Sequence, residues 1–243
     1  MINIVLAAGY ATRLYPLTEN FPKPLLEIGG STILDRMMAD IDNIPEITGH
    51  IIVSNHKFIG HFNKWIETAP YEKPLMIIDD GSTDNDHRIG AVKDLLLALE
   101  IGNVQEDIMV VAADNVLDFS FGGFVEYFKE KGTSLIMCHE EQSLKALQKT
   151  GVVCLDANNL VTLMEEKPQE PKSTWAVPPF YIYRKEDLEQ IRGAVENGCG
   201  YDAPGNLAHY MCERTPMHAY PMPGHRYDIG DTESYNKVKA LFK

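Results

Sequence analysis

Apolar and polar positions change period along this chain, and the changes mark its elements. Residues 2–7 form a continuous apolar run that closes in small residues, the pattern of a strand buried on both faces of a parallel sheet. Ser31 or Thr32 then caps a helix in which Leu34, Met37, Met38 and Ile41 recur at helical spacing. Residues 50–54 predict a second strand, and Phe58, Ile59, Phe62, Trp65 and Ile66 one apolar helical face. Residues 74–79 predict a third strand, which completes a βαβαβ unit. A helix over 90–101, a buried strand over 108–112, a helix over 121–131 and a strand over 134–138 follow. From Gly151 the pattern changes, because the runs 151–155 and 161–165 flank the turn Asp156-Ala157-Asn158-Asn159 as in a β-hairpin. Residues 169–173 are polar and expected to be exposed, and 175–183 predict one apolar strand. Helices over 185–193, 205–214 and 232–242, with a strand near 217–220, complete the count. Strands alternating with helices predict an α/β protein, and no repeat or low-complexity tract interrupts them.

Composition narrows the class. At 243 residues the chain can bury a large core, and its 44% hydrophobic and 23% charged residues fit a globular protein, expected here as one domain over 1–243. No apolar run is long enough for a bilayer, and MINIVLAAG lacks the basic region and cleavage site of a signal peptide, so a cytoplasmic protein without a membrane partner is expected. A net charge of −13 opposes a nucleic-acid surface, which needs a basic stripe. Cys138, Cys154, Cys199 and Cys212 are dispersed without a CxxC pair and read as reduced thiols. The eight histidines form neither HxxxH nor HExxH, and no Gly-x-Ser-x-Gly elbow is present.

The candidate chemistry gathers at strand ends. After the first strand, Gly9, Ala11 and Thr12 are small enough for backbone amides to approach phosphate oxygens, and Arg13 and Lys23 add positive charge. The same loop also reads as an exposed turn with two solvated cations, and the Walker pattern is absent. Asp114 follows the strand at 108–112 and Asp228 lies in Tyr227-Asp228-Ile229-Gly230. Two converging carboxylates suit Mg²⁺, which takes oxygen ligands and keeps waters, while either Asp alone serves equally as a cap or turn residue. Glu166 and Lys167 leave a strand end before Pro168, where they fit either a sugar hydroxyl and a phosphate or a charged hairpin edge. The polar loop 80–88 lies at the carboxyl edge of the sheet.

With these residues assembled, the chain resembles the nucleotidyltransferases that activate sugar 1-phosphates, the glucose-1-phosphate thymidylyltransferase and mannose-1-phosphate guanylyltransferase group. The signature LAxGxxTRLxPLT followed by PKPLL stands at 6–18 and 22–26. Ala113-Asp114-Asn115 is similar to the family's Gly-Asp-Asn, Thr150-Gly151-Val152-Val153 to its YGVV, residues 165–168 to its EEKP, and 227–230 to its closing WxDIGT. The resemblance implies a Rossmann-like, three-layer αβα fold of the GT-A-like kind, with a mixed, mainly parallel sheet and a small acceptor-binding hairpin. It implies Mg²⁺, a nucleoside triphosphate and a small phosphorylated acceptor.

It also implies roles. Leu6, Ala8, Gly9, Tyr10, Ala11 and Thr12 would line the nucleotide, with Arg13 and Lys23 on the triphosphate, Asp79 and Gly90 at the base, and Asp114 with Asp228 on the metal. Asn115, Gly151, Glu166, Lys167, Pro179 and Tyr181 would hold the acceptor, so that 1–115 serve mainly the nucleotide and 116–243 mainly the acceptor. Arg13, Lys23 and Lys167 would be the catalytic cations. The sequence departs from the family pattern at Ala11 and Ala113, where glycine is usual, and at Val177-Pro178-Pro179, which replaces a glycine-bearing strand. A short form without a C-terminal extension, and a monomer or small homo-oligomer, are expected. Short relatives activate phosphocholine with CTP, and Trp175, Phe180, Tyr181 and Tyr183 could form either a cage for a quaternary ammonium or core packing.

Overall fold

A computed structural model describes residues 1–242. The chain begins with β1 (Ile2–Leu6), two short 3₁₀ turns at Thr12–Leu14 and Lys23–Leu25, and the two-residue ribbon β2 (Glu27–Ile28) and β3 (Ser31–Thr32). Helix α1 (Ile33–Asp42) follows, then β4 (Gly49–Ser54), α2 (Ile59–Ile66), β5 (Leu75–Asp79), α3 (Ala91–Ile101), β6 (Ile108–Ala112) and β7 (Asn115–Leu117). Next come α4 (Gly122–Lys131), β8 (Ser134–Glu140), α5 (Leu144–Leu147) and the hairpin β9 (Gly151–Leu155) and β10 (Val161–Glu166). The last third holds β11 (Trp175–Val177), β12 (Phe180–Tyr183), α6 (Leu188–Arg192), α7 (Pro204–Cys212), β13 (Met217–Pro221), β14 (Arg226–Asp228) and α8 (Thr232–Leu241).

Ten strands form one mixed sheet ordered β10-β9-β11-β8-β12-β6-β1-β4-β5, with β13 on the free edge of β8. β1 is central to the parallel part: Leu6 pairs with Val53 of β4 on one side and with Ala112 of β6 on the other. The loops after β1, β5 and β6 therefore leave the same edge, where open α/β sheets bind ligands. Side-chain alternation divides the core. Ile4 and Val110 face a layer built from α3, α6 and α7, whereas Val5, Met109 and Val111 face α1, α2 and α4. The three-layer αβα arrangement follows from these two apolar faces.

The single strand expected over 175–183 is broken. Pro178 and Pro179 have no N–H to give the ladder, so the segment divides into β11 and β12. Both pieces lie along the same edge of β8, Ala176 opposite His139 and Tyr181 opposite Ile136, with the register displaced across the prolines. At this break the sheet passes from its parallel part to the hairpin part. Thr32, rather than Ser31, caps α1: its side chain accepts from the Asp35 N–H while the Asp35 carboxylate accepts from the Thr32 N–H. Strands β7 and β14, absent from the sequence reading, pair antiparallel with Asp228 opposite Asn115. A smaller apolar cluster joins Leu14, Ile28, Val116 and Ile229 to Tyr235 and Val238 of α8, and the Tyr235 hydroxyl donates to the Glu27 carbonyl at 2.8 Å. The closing helix thereby supports the opening loop. No helix among the described residues is long and apolar enough to cross a membrane.

Candidate active site

The loop after β1 forms one wall of a cleft of about 270 Å³ at the carboxyl edge of the sheet. Leu6, Ala8, Gly9, Ala11, Arg13, Lys23, Gly90 and Asp114 line it as the sequence reading expects, and Asp80, Arg88, Asp94 and Gly230 join them. Ala11 holds a left-handed backbone with φ 47°, a conformation that strains a residue bearing a Cβ, and the Thr18 hydroxyl fixes it by donating to its carbonyl at 2.8 Å.

Lys23 is 7% exposed, and its Nζ lies 3.1 Å from Asp114 Oδ2. A buried ammonium needs such a partner, because its desolvation is otherwise uncompensated. Asp114 Oδ1 in turn accepts from Asn115 Nδ2 at 2.6 Å, and Asn115 Oδ1 accepts from Arg226 Nη1 at 2.7 Å. Arg226 Nη1 also lies 3.9 Å from Asp228 Oδ1. The pairing of β7 with β14 brings residues 111 positions apart into this chain of contacts. Arg13 approaches its far end: a Cβ placed on Gly230 would lie 3.6 Å from Asp228 Oδ2 and 3.8 Å from both terminal nitrogens of Arg13. The bare Gly230 therefore sits between the guanidinium and the carboxylate.

Asp114 lines the cleft and Asp228 lies just outside its lining, beside Gly230; both are partly exposed, hard oxygen donors. Among the described residues no group of three or more His, Cys, Asp or Glu side chains gathers to enclose an ion. Two carboxylates with open positions fit Mg²⁺, which prefers oxygen and retains several waters.

On the far side of the broken strand, the β9–β10 register sets Gly151 opposite Glu166. Lys167 takes a left-handed backbone with φ 51°, and its Nζ stands 3.7 Å from Glu166 Oε1. Burial pushes the Glu166 carboxyl above its usual range, and Lys167 works against that rise. The first turn of α7 closes over this carboxylate: a Cβ on Gly205 would lie 1.9 Å from Glu166 Oε2. Gly151, Glu166 and Lys167 are brought together as expected.

Other expected positions lie elsewhere. Asp79, an expected base contact, ends β5 on the exposed side; its Oδ2 lies 2.6 Å from His56 Nδ1 and its Oδ1 accepts from the Gly81 N–H at 2.8 Å, so the neighbouring Asp80 takes its place on the cleft wall. Tyr10 is buried with its hydroxyl 3.2 Å from Ser82 Oγ, and exposed Thr12 opens the 3₁₀ turn; neither lines the cleft. Tyr181 is 2% exposed and stacked on Tyr183 in the core, which removes it from any acceptor surface. Pro179 uses its carbonyl to accept from the Ala112 N–H at 3.2 Å. Phe180 faces the opposite side of the sheet from Tyr181 and Tyr183, so these aromatics form no cage for a quaternary ammonium. Arg226, Asp94 and Gly205 were missed. Arg226 stands one residue before the matched Tyr227-Asp228-Ile229-Gly230, which was the one signal available for it.

A mixed, mainly parallel sheet with a small-residue loop, a buried lysine and an aspartate at its carboxyl edge is an α/β arrangement suited to handling phosphates. Over residues 2–243 the chain matches the family described as nucleotidyl transferase, and it belongs to that family. Among solved structures it is similar to a protein described as a glucose-1-phosphate thymidylyltransferase from Bacillus anthracis, in complex with sucrose: 19% identity, TM-score 0.81, covering 100% of this chain and 95% of the other. A UDP-glucose pyrophosphorylase complexed with UDP-glucose matches with 19% identity and TM-score 0.81, over 99% of this chain and 97% of that one. At such identity these likenesses speak for the fold, and the family match establishes the class of enzyme.

Proposed function

We propose that this protein transfers a nucleoside monophosphate from a nucleoside triphosphate to a sugar 1-phosphate, releasing pyrophosphate. The observation that carries this reading is the continuous chain of contacts from Lys23 through Asp114, Asn115 and Arg226 to Asp228, which borders the phosphate-sized loop. In this reading residues 1–115 mainly supply the nucleotide half and 116–243 the acceptor half of one domain.

A phosphate monoester has its second pKa near 6, so the attacking oxygen is anionic at neutral pH and needs no general base. The barrier lies in bringing two polyanions together. Backbone amides around Gly9, with Arg13 and Lys23, hold the triphosphate. Asn115, Gly151 and Glu166 receive the acceptor's hydroxyls, and Lys167 holds its phosphate so that the oxygen faces the α-phosphorus in line with the leaving group. The new bond joins the acceptor oxygen to the α-phosphorus. The bond to the β-phosphate oxygen breaks, and Arg13 and Lys23 stabilise the charge that gathers on pyrophosphate. Asp114 and Asp228 would hold Mg²⁺, which when bound supplies further positive charge to the phosphate oxygens.

Pyrophosphate release, measured over the common nucleoside triphosphates crossed with a panel of sugar 1-phosphates and phosphocholine, tests the reading. Turnover with at least one sugar 1-phosphate, abolished by EDTA, is expected. Turnover with no pair would overturn nucleotidyl transfer, and turnover confined to phosphocholine would overturn the sugar assignment.

A further inference from the structure

The triphosphate is common to all nucleotides, so base choice must come from the part of the cleft beyond the phosphate loop. There the wall is formed by Asp80, Arg88, Gly90, Ala91 and Asp94. Asp94, in the first turn of α3, is 5% exposed, and its Oδ1 has no hydrogen-bond partner. Burial, and then the charge of neighbouring Asp80, raises its carboxyl to about 8. Burial favours the protonated form of Asp94 and also raises the Asp80 carboxyl, so the two acids sit side by side at this wall with one proton readily held between them. Asp80 Oδ1 accepts from the Ser82 N–H at 2.7 Å, and its own N–H donates to the Ser54 carbonyl at 2.9 Å, which fix the side chain and the loop.

The neighbouring groups leave this pair in control of the wall. Arg88 spends its fork on Asp202 Oδ1, at 3.2 Å from Nε and 3.0 Å from Nη2, and on the Asn85 carbonyl at 3.0 Å from Nη1. Asp79 is turned toward His56. What faces a base is a carboxylate acceptor with an acid behind it.

Resting on the nucleotidyl-transfer reading, we infer that Asp80, positioned by Asp94, reads the base and selects one that presents an exocyclic amine over uracil and thymine. The N4 amine of cytosine, the N6 amine of adenine, and N1–H with the N2 amine of guanine all donate to a carboxylate. Uracil and thymine set a carbonyl oxygen where cytosine sets its amine. Their N3–H remains a donor, but a carbonyl oxygen opposed to the half-buried Asp80 carboxylate sets acceptor against acceptor, which leaves both unpaired and repels. A hydrogen bond to a charged group corresponds to roughly 10- to 100-fold in affinity.

The test is the affinity of the full chain for CTP, GTP, ATP, UTP and dTTP, measured calorimetrically without acceptor. At least one of CTP, GTP or ATP is expected to bind tenfold or more tightly than UTP and dTTP. Asp80→Asn, whose amide can donate to a carbonyl, is expected to narrow that gap to threefold or less. Asp94→Asn, which still donates to Asp80, is expected to keep the ranking, and Asp94→Ala to weaken it. Tighter binding of UTP or dTTP, equal binding of all five, or an unchanged ranking in folded Asp80→Asn would overturn the inference while leaving nucleotidyl transfer standing. Should Asp80→Asn not fold, the wild-type ranking and the Asp94 pair decide. Binding of none of the five would overturn both.

Discussion

The decisive contact at the residue scale is between Lys23 and Asp114. The lysine is nearly enclosed, while the aspartate side chain is 41% exposed and also bonded to Asn115. Asp114→Asn keeps the shape and the solvent-facing position, so the fold should persist, with far-ultraviolet circular dichroism unchanged. Pyrophosphate release should fall by about 10²- to 10³-fold, the scale of removing one charge from a preorganised site. Full turnover in the folded variant would remove Asp114 from the metal and phosphate assignment. Arg226 offers a separable outcome. Its guanidinium touches Asn115 and neighbours Asp228, and its charge reaches His139, whose imidazole is held below its usual range mainly by burial and then by this arginine. Arg226→Gln should raise the acceptor KM about tenfold or more, while the nucleotide KM moves by less than threefold. A shift confined to the nucleotide KM would place Arg226 in the other half of the site.

Elements, rather than single residues, set the surroundings of Glu166, which the proposed function gives to the acceptor. The start of α7 lies against Glu166 so closely that Gly205→Ala must push the carboxylate aside, since the new methyl would overlap Oε2. That substitution should raise the acceptor KM in steady-state kinetics and cost roughly 1–3 kcal/mol of stability in urea unfolding, the range of overpacking. An unchanged acceptor KM would mean that Glu166 does not touch the acceptor. The helix itself was legible, because its apolar positions repeat at helical spacing, but its approach to Glu166 was not: a contact across about forty residues leaves no periodic trace. β1 and β6 were readable because strands buried on both faces are almost wholly apolar, with Asn3 the one polar residue in the two. β7 and β14 are three residues each, too short to show a period, and they gain their meaning only by pairing. Successive residues at a strand end face opposite ways, so Asp79 turns toward His56 while Asp80 lines the cleft. Pro178 and Pro179 were visible as an altered wall, yet their main consequence, dividing one strand into two, depends on which N–H groups the ladder requires.

At the scale of the whole molecule, a net charge of −13 surrounds a site meant for polyanions. Arg13, Lys23, Lys167 and Arg226 supply local cations within an acidic chain. The base wall goes further and buries a carboxyl beside another carboxylate, an arrangement that must weigh on stability. An unfolded Asp ionises near pH 3.9, whereas Asp94 in the folded protein does so at about 8. Between these values the native state holds a proton that the unfolded state has released, so the Asp94 contribution to stability declines as pH rises. It is fully present below pH 4 and levels off at its lowest above about pH 8. The slope in that window is at most about 1.4 kcal/mol per pH unit, and Asp80, which shares the proton, spreads it over a wider range. Asp94→Asn cannot ionise and lacks this slope. Urea unfolding of wild type and variant at pH 5, 6, 7 and 8 should therefore show the variant gaining on the wild type at each step, whatever constant offset the amide introduces. A difference that stays constant from pH 5 to pH 8 would mean that Asp94 is already ionised in the folded protein. The base wall would then present two charges, without the acid that positions Asp80.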